Sequence, residues 1–268
     1  MIILAIDTAG REGSVALARS GRGSFEVLGL APLAGGTYSA QLIPRIAGLL
    51  ETAGVAKGAI DLLAVNSGPG SFTGLRVGLS TVKGLAESLY KPIVAVSGLE
   101  ALAIAGLTSG AQSSERVVAA LDAQRKEVYV GEYEVRSDPQ DGADPQGNVL
   151  EAVRLRAERI RERLVPLADF IAEVAGHTLS PIICTPDAGI ESALRAAGVA
   201  VELVAHPRAD LIARIGLARF GEGATISPEA LDANYIRRSD AEIFSVPSPG
   251  RQPSAPASGA PGKLGRPK

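Results

Sequence analysis

Tryptophan is absent, and phenylalanine and tyrosine together supply only 4% of the chain. A core built from these residues must be aliphatic, and at 46% hydrophobic over 268 residues there is enough material for one large domain or two small ones. A single cysteine, Cys184, excludes an internal disulfide and fits a reducing compartment. It sits in the apolar run Pro181–Cys184 and reads as a small buried hydrophobe on a strand. The two histidines, His177 and His206, stand 29 positions apart, so the i, i+4 imidazole pair of a helical metal site is missing. No Cys–His pair and no G-x-S-x-G elbow occurs. The opening apolar run is broken at Asp7, no basic start precedes it, and no run approaches the ~18 apolar residues of a membrane span. A formal net charge of −2 argues against a nucleic-acid binder that works by bulk charge. The expectation is a soluble cytoplasmic protein with no membrane contact, no metal and no catalytic constellation.

What is present centres on Asn66-Ser-Gly-Pro-Gly-Ser-Phe-Thr-Gly-Leu-Arg76. An apolar run, Ile60–Val65, precedes it and an apolar-periodic segment follows to about Tyr90, giving strand, glycine-rich turn, helix. Gly68 and Gly70 permit positive φ, and Ser71 or Thr73 can cap the helix. Such a turn can hold a phosphate on its free N–H groups. It can also be a tight turn whose small residues allow close packing. The Walker spacing fails, because Leu75 and Arg76 follow Gly74, and no G-x-G-x-x-G phase is present. In the helix, Phe72, Leu75, Leu79, Val82, Leu85, Ala86 and Leu89 form one apolar face, with Gly74 and Gly78 four apart. Glycines inside a helix cost roughly 1 kcal/mol each, which is intelligible if another backbone must come close. Spacing leaves open whether that backbone belongs to this chain or to another.

In chain order, Ile2–Thr8, Ser14–Ala18 and Phe25–Leu30 read as a glycine-linked β-meander. Tyr38–Ala53 is an amphipathic helix with the stripe Leu42, Ile46, Leu49, Leu50 and Ala53, and Pro44 moves its expected start toward Gln41 or bends it. Ile93–Val96 is a strand, and Ser97 caps a helix. Thr108–Glu115 reads as a linker. Arg116–Leu121 and Glu127–Val135 form a hairpin, 138–148 a loop, and Val153–Val174 an arginine- and glutamate-rich helix interrupted by Pro166. Strands at Ile182–Thr185 and Val199–Val204 flank a helix at Asp187–Ala197, and Asp210–Phe220 is the last helix. The expected organisation is an N-terminal α/β lobe over residues 1–107 and a C-terminal α/β lobe over 108–240, whose last helix can return to the first lobe. A Pro/Gly-rich tail over 245–268 is too poor in apolar residues to fold.

Four stretches together resemble the bacterial TsaB (YeaZ) family: Leu4-Ala-Ile-Asp-Thr8, Gly68–Arg76, Asp122-Ala-Gln-Arg-Lys-Glu-Val-Tyr129 and Asn234-Tyr-Ile-Arg237. The resemblance runs over residues 1 to about 240. It implies a two-lobed α/β fold like the actin, sugar-kinase and heat-shock-chaperone ATPases (ribonuclease H-like), with a degenerate active site. It implies an accessory subunit in making threonylcarbamoyladenosine beside the anticodon of tRNAs that read A-starting codons. The partners implied are TsaD, as a heterodimer, and the ATPase TsaE, with tRNA met only indirectly and a homodimer possible through the same helices. ATP and magnesium serve the complex, and this chain alone binds no cofactor. The interface implied lies on the two first-lobe helices, here Leu42, Ile46, Leu49, Phe72, Gly74, Leu75, Arg76, Gly78, Leu79 and Val82. A vestigial phosphate site would comprise Asp7, Thr8, Gly68, Gly70 and Ser71. Two positions depart from the family pattern: Tyr38, where histidine is frequent, and Ala233, where proline is frequent. The competing expectation is a magnesium-ATP-dependent kinase or hydrolase of the same fold, using Asp7, Asp122 and the Asn66–Gly70 turn.

Overall fold

The structure is a computed structural model and describes residues 1–21, 24–106, 115–138, 154–176 and 181–236. It opens with the expected meander: β1 (Ile2–Asp7), β2 (Glu12–Ser20) and β3 (Phe25–Ala34) pair antiparallel. Then come α1 (Tyr38–Thr52), β4 (Leu62–Asn66), α2 (Phe72–Leu89), β5 (Ile93–Val96) and α3 (Gly98–Gly106). β4 and β5 run parallel to β1, and the sheet order is β3-β2-β1-β4-β5. The same plan then repeats. β6 (Glu115–Asp122), β7 (Glu127–Asp138) and β8 (Arg154–Pro166) form a second meander. α4 (Leu167–Ala175), β9 (Ile182–Thr185), α5 (Ala188–Ala196), β10 (Glu202–Leu203) and α6 (Ala209–Gly221) follow. The second sheet has the order β10-β9-β6-β7-β8.

Alternation along β1 shows why both faces of the first sheet are covered. Leu4 and Ile6 join a core with α1 and α2, while Ile3 and Ala5 join another with α3 and α6. α6 is thus a late element that packs on β1, β2 and β4. Every residue of α3 but Ala105 is buried, because its Ala101 and Ile104 face the first sheet while Leu99, Leu102 and Ala103 face the second. The far face of the second sheet is closed by α4 and α5 through Phe170, Ile190 and Leu194. The described residues form one structural unit. The expected tail over 245–268, the loop after 138, most of the linker before β6, and His177 lie outside the described residues. No helix among the described residues is long and apolar enough to cross a membrane.

Two expectations change, and the start of α1 at Tyr38 holds. Residues 154–166 are a strand rather than a helix, paired with β7 from Glu127↔Pro166 to Asp138↔Arg154. Arg and Glu favour helices on their own, but here the neighbouring strand supplies the partner and propensity gives way. Pro166 therefore does not interrupt a helix; it ends β8 and stands at the N-cap of α4. Helix α1 starts at Tyr38 and carries Pro44 in its interior. β3 continues to Ala34, and its Pro32 is tolerated because β3 is an edge strand.

Helix α2 ends at Tyr90, which holds φ 55, ψ 49 and is 92% exposed. A left-handed tyrosine with almost no packing costs roughly 1–2 kcal/mol relative to glycine. Tyr90→Gly should therefore raise stability by about 1 kcal/mol, read as a higher thermal midpoint; an unchanged or lower midpoint contradicts the cap assignment.

Candidate functional site

Because β1 and β4 are parallel neighbours, Asp7–Ala9 and Asn66–Gly70 emerge at the same end of the sheet. The sequence-named residues Asp7, Thr8, Gly68, Gly70 and Ser71 therefore meet, but they close on one another. Asp7 Oδ1 accepts from Ala9 N at 2.9 Å, and Asn66 Oδ1 accepts from Gly68 N at 2.9 Å. Ser71 N donates to Ala9 O at 2.7 Å, and Ser71 Oγ caps α2 by accepting from Gly74 N at 3.2 Å. Thr8 Oγ1 donates to Gly74 O at 2.7 Å. Gly68 has φ +105, which favours glycine, and a Cβ on Gly70 would overlap the Ala9 carbonyl. Asp7 and Thr8 are buried. Burial pushes the Asp7 carboxyl above its ordinary range, against the opposing pull of Ala9 N–H, Asn66 and His206. A magnesium-binding carboxylate needs accessible, ionised oxygens; this one is enclosed and hydrogen-bonded. Asp122, at the end of β6, accepts from Gln124 N at 2.8 Å and from Gln124 Nε2 at 2.6 Å. Among the described residues no group of three or more His, Cys, Asp or Glu side chains is arranged to hold a metal. The proximity of His206 to Asp7 could not be read from the sequence, since it comes from the loop before α6.

The helix pair corrects the expected interface. Leu42, Ile46, Leu75, Leu79 and Val82 are buried against the first sheet, and Leu49 packs partly against the same core. Gly74 and Gly78 are also turned inward: Cβ atoms there would overlap Thr8 O and Thr8 Oγ1. The close backbone approach that these glycines permit is therefore intramolecular. Of the ten interface positions expected, only Phe72 and Arg76 face outward. The outer row of α2 runs Phe72, Arg76, Ser80, Gly84, and that of α1 exposes Ala40, Ile43, Pro44, Ala47 and Gly48. A Cβ at Gly48 or Gly84 would meet nothing within 4 Å. The outer rows mix small residues with the charged Arg45, Glu51 and Glu87. Gly78→Ala should cost roughly 1–3 kcal/mol by overpacking against Thr8, whereas Gly84→Ala should stabilise by ~1 kcal/mol. Urea unfolding of the two variants checks this; equal effects would contradict the inward assignment.

Both departures from the family pattern are accounted for locally. Tyr38 Oη donates to Gly10 O at 2.9 Å and so ties α1 to the first hairpin. Ala233 N donates to Asp232 Oδ1 at 2.7 Å, a bond that proline could not make.

A cavity of about 440 Å³ opens beside Ser67, Ser97, Glu100, Tyr133, Glu162, Arg219 and Asn234. Glu162 is its structural hub: it accepts from Ser97 Oγ at 2.6 Å, from Asn234 Nδ2 at 2.6 Å and from the Tyr133 hydroxyl. Glu100 on α3 lies 2.6 Å from Arg219 Nη2 on α6. Burial dominates and pushes Glu100 up from 4.5 to about 7, against both the charge of Arg219 and its hydrogen bond. The folded state holds a proton between those values that the unfolded chain has released. The stability this group contributes is present below its unfolded value and lost as pH rises through about 7. Glu100→Gln should flatten that part of the stability profile, as measured by urea midpoints across the window; parallel profiles would contradict it.

Residues 30–152 match the family model described as "TsaD: tRNA N6-adenosine threonylcarbamoyltransferase". The chain is 33% identical over 240 residues to the tRNA threonylcarbamoyladenosine biosynthesis protein TsaB of Escherichia coli, covering 88% of this chain and 95% of that protein. It is 38% identical over 141 residues to TsaB of Haemophilus influenzae, covering 52% of this chain and 57% of that protein. Among solved structures, YeaZ from Pseudomonas aeruginosa superposes with a TM-score of 0.62 at 29% identity, covering 87% of this chain and all of that one. The paired sheets of like order, with helices on their faces, define a two-sheet α/β protein. The chain belongs to the TsaB family, also called YeaZ, of tRNA threonylcarbamoyladenosine biosynthesis.

Proposed function

We propose that this chain is a non-catalytic subunit that supports a TsaD-type transferase in moving the threonylcarbamoyl group to the adenosine next to the anticodon. The observation that carries the proposal is the outer face of α1 and α2: two open glycines among small residues, with the exposed Ile43, Phe72 and Arg76, beside Arg45, Glu51 and Glu87. Such a face lets a second pair of helices approach closely. The turn supports the non-catalytic part, since Asp7 Oδ1, Thr8 Oγ1, Asn66 Oδ1, Ser71 N and Ser71 Oγ are bonded within the chain. On this reading ATP and magnesium are used by the complex, with TsaE joining it, and the chain alone holds no cofactor. A homodimer through the same face competes with the heterodimer, tRNA is met through the partner, and the location is cytoplasmic. No observation favours the kinase or hydrolase alternative, because its would-be magnesium carboxylate, Asp7, is buried and hydrogen-bonded.

Reconstitution tests the proposal. TsaD, TsaE, the donor synthase, ATP, threonine, bicarbonate and tRNA are combined with and without this chain, and the modified nucleoside is scored by mass spectrometry. Modification should require the chain. Gly84→Arg, placed where a side chain has room, should remain folded and abolish both partner capture and activity. If the chain is dispensable, or if the folded variant supports full modification, the proposal falls.

A further inference from the structure

The crossing segment after α6 connects the cavity to the outer face of α2. Leu231 is fully buried in the core beneath α1 and α2. Asn234 N donates to Ser67 O at 2.7 Å, and Asn234 Nδ2 donates to Glu162 Oε2 at 2.6 Å. Ile236 packs into the core of the second sheet. Tyr235 is thus held between two anchored neighbours and points outward, 40% exposed. Its ring lies 5.6 Å from that of Phe72, tilted by 37°, and the Arg76 guanidinium sits 3.8 Å over the Phe72 ring. Arg76, Phe72 and Tyr235 therefore form one stack that extends the outer row of α2. Aromatic and arginine side chains of this kind are the usual anchors of protein interfaces.

We infer that Tyr235 belongs to the surface that meets the TsaD-type partner, and that Glu162, a residue of the second sheet, positions it through Asn234. The inference rests on the reading under Proposed function and deepens it. The occupant is argued from continuity with the α1–α2 face and from the match of that stretch to the TsaD family model, which gives the partner a comparable pair of helices to present. Glu162 suits the role because its side chain is only 5% exposed and it gathers donors from three other elements: Ser97 before α3, Tyr133 on β7 and Asn234 on the crossing segment. With the carboxylate in place, Asn234 has one orientation, and the Tyr235 backbone that follows has one exit direction. Glu162 touches no partner on this account. It is a positioning residue.

The test is binding of the TsaD-type partner by calorimetry, with thermal melts run alongside. Tyr235→Ala, a change at an exposed ring, should stay folded and weaken binding roughly tenfold or more, while Tyr235→Phe should bind like the parent. Glu162→Gln and Asn234→Ala should also weaken binding, and that loss should largely vanish in the Tyr235→Ala background. A merely structural role would lower the melting temperature and cost the same affinity in both backgrounds, which would overturn the positioning claim. Tyr235→Ala binding like the parent would overturn the inference, as would a change confined to self-association. Failure of the parent chain to bind the partner would instead sink the reading on which the inference stands.

Discussion

The hydroxyl of Thr8 donates to the carbonyl of Gly74, and this one bond sets how close α2 comes to the end of β1. Side chains at Gly74 or Gly78 would push the helix away. At that distance Ser71 can donate to Ala9, Tyr38 can reach Gly10, and Leu75, Leu79 and Val82 can sink into the sheet. The same closeness leaves the glycine-rich turn wrapped on the strand beside it. A turn that in outline resembles an anion cradle is drawn onto its own chain at Thr8 and Ala9, and the helix it launches presents its other side.

The second constraint is topological. Two sheets of the same strand order do not sit as independent bodies, because α3 is buried between them and α6 returns from the second half to cover the first sheet. Arg219 of α6 donates to Ala95 O at 2.7 Å and faces Glu100 of α3, so the crossing is fastened at β5 and α3 together. The Glu100–Arg219 pair illustrates a general rule: an ion pair removed from water stabilises only as far as its attraction offsets the desolvation.

Much of this was legible in the sequence, and the failures have physical causes. The meander, α1, β4 and α2 could be read because glycines mark their ends and apolar spacing differs between strand and helix. β8 could not, because its many Arg and Glu residues are helix formers that outweigh the broken alternation of Leu155, Ala157, Ile160 and Leu164, and only the hydrogen bonds of β7 decide its form. Leu42, Ile46, Leu75, Leu79 and Val82 were correctly seen as one-sided, but an apolar stripe does not say whether a sheet or another protein covers it. Here the sheet does. Gly74 and Gly78 were correctly seen as sites of close approach, and Thr8 is the approaching group. Tyr235 and Glu162 were invisible as a unit, since 72 residues separate Glu162 from Asn234.

The bond from Ala209 N to Ser14 Oγ joins residues 195 positions apart. Synthesis is vectorial, so its consequence is temporal. At ~5–20 residues per second, roughly 10–40 seconds pass between the emergence of β2 and that of α6. Throughout that interval Ile3, Ala5, Leu62 and Ala64 have no α6 to shield them from water. The nascent first half is therefore a sheet whose second side only α3 can cover, a species prone to non-productive association. A protein that works by offering a face to a partner must first be protected from offering the wrong one.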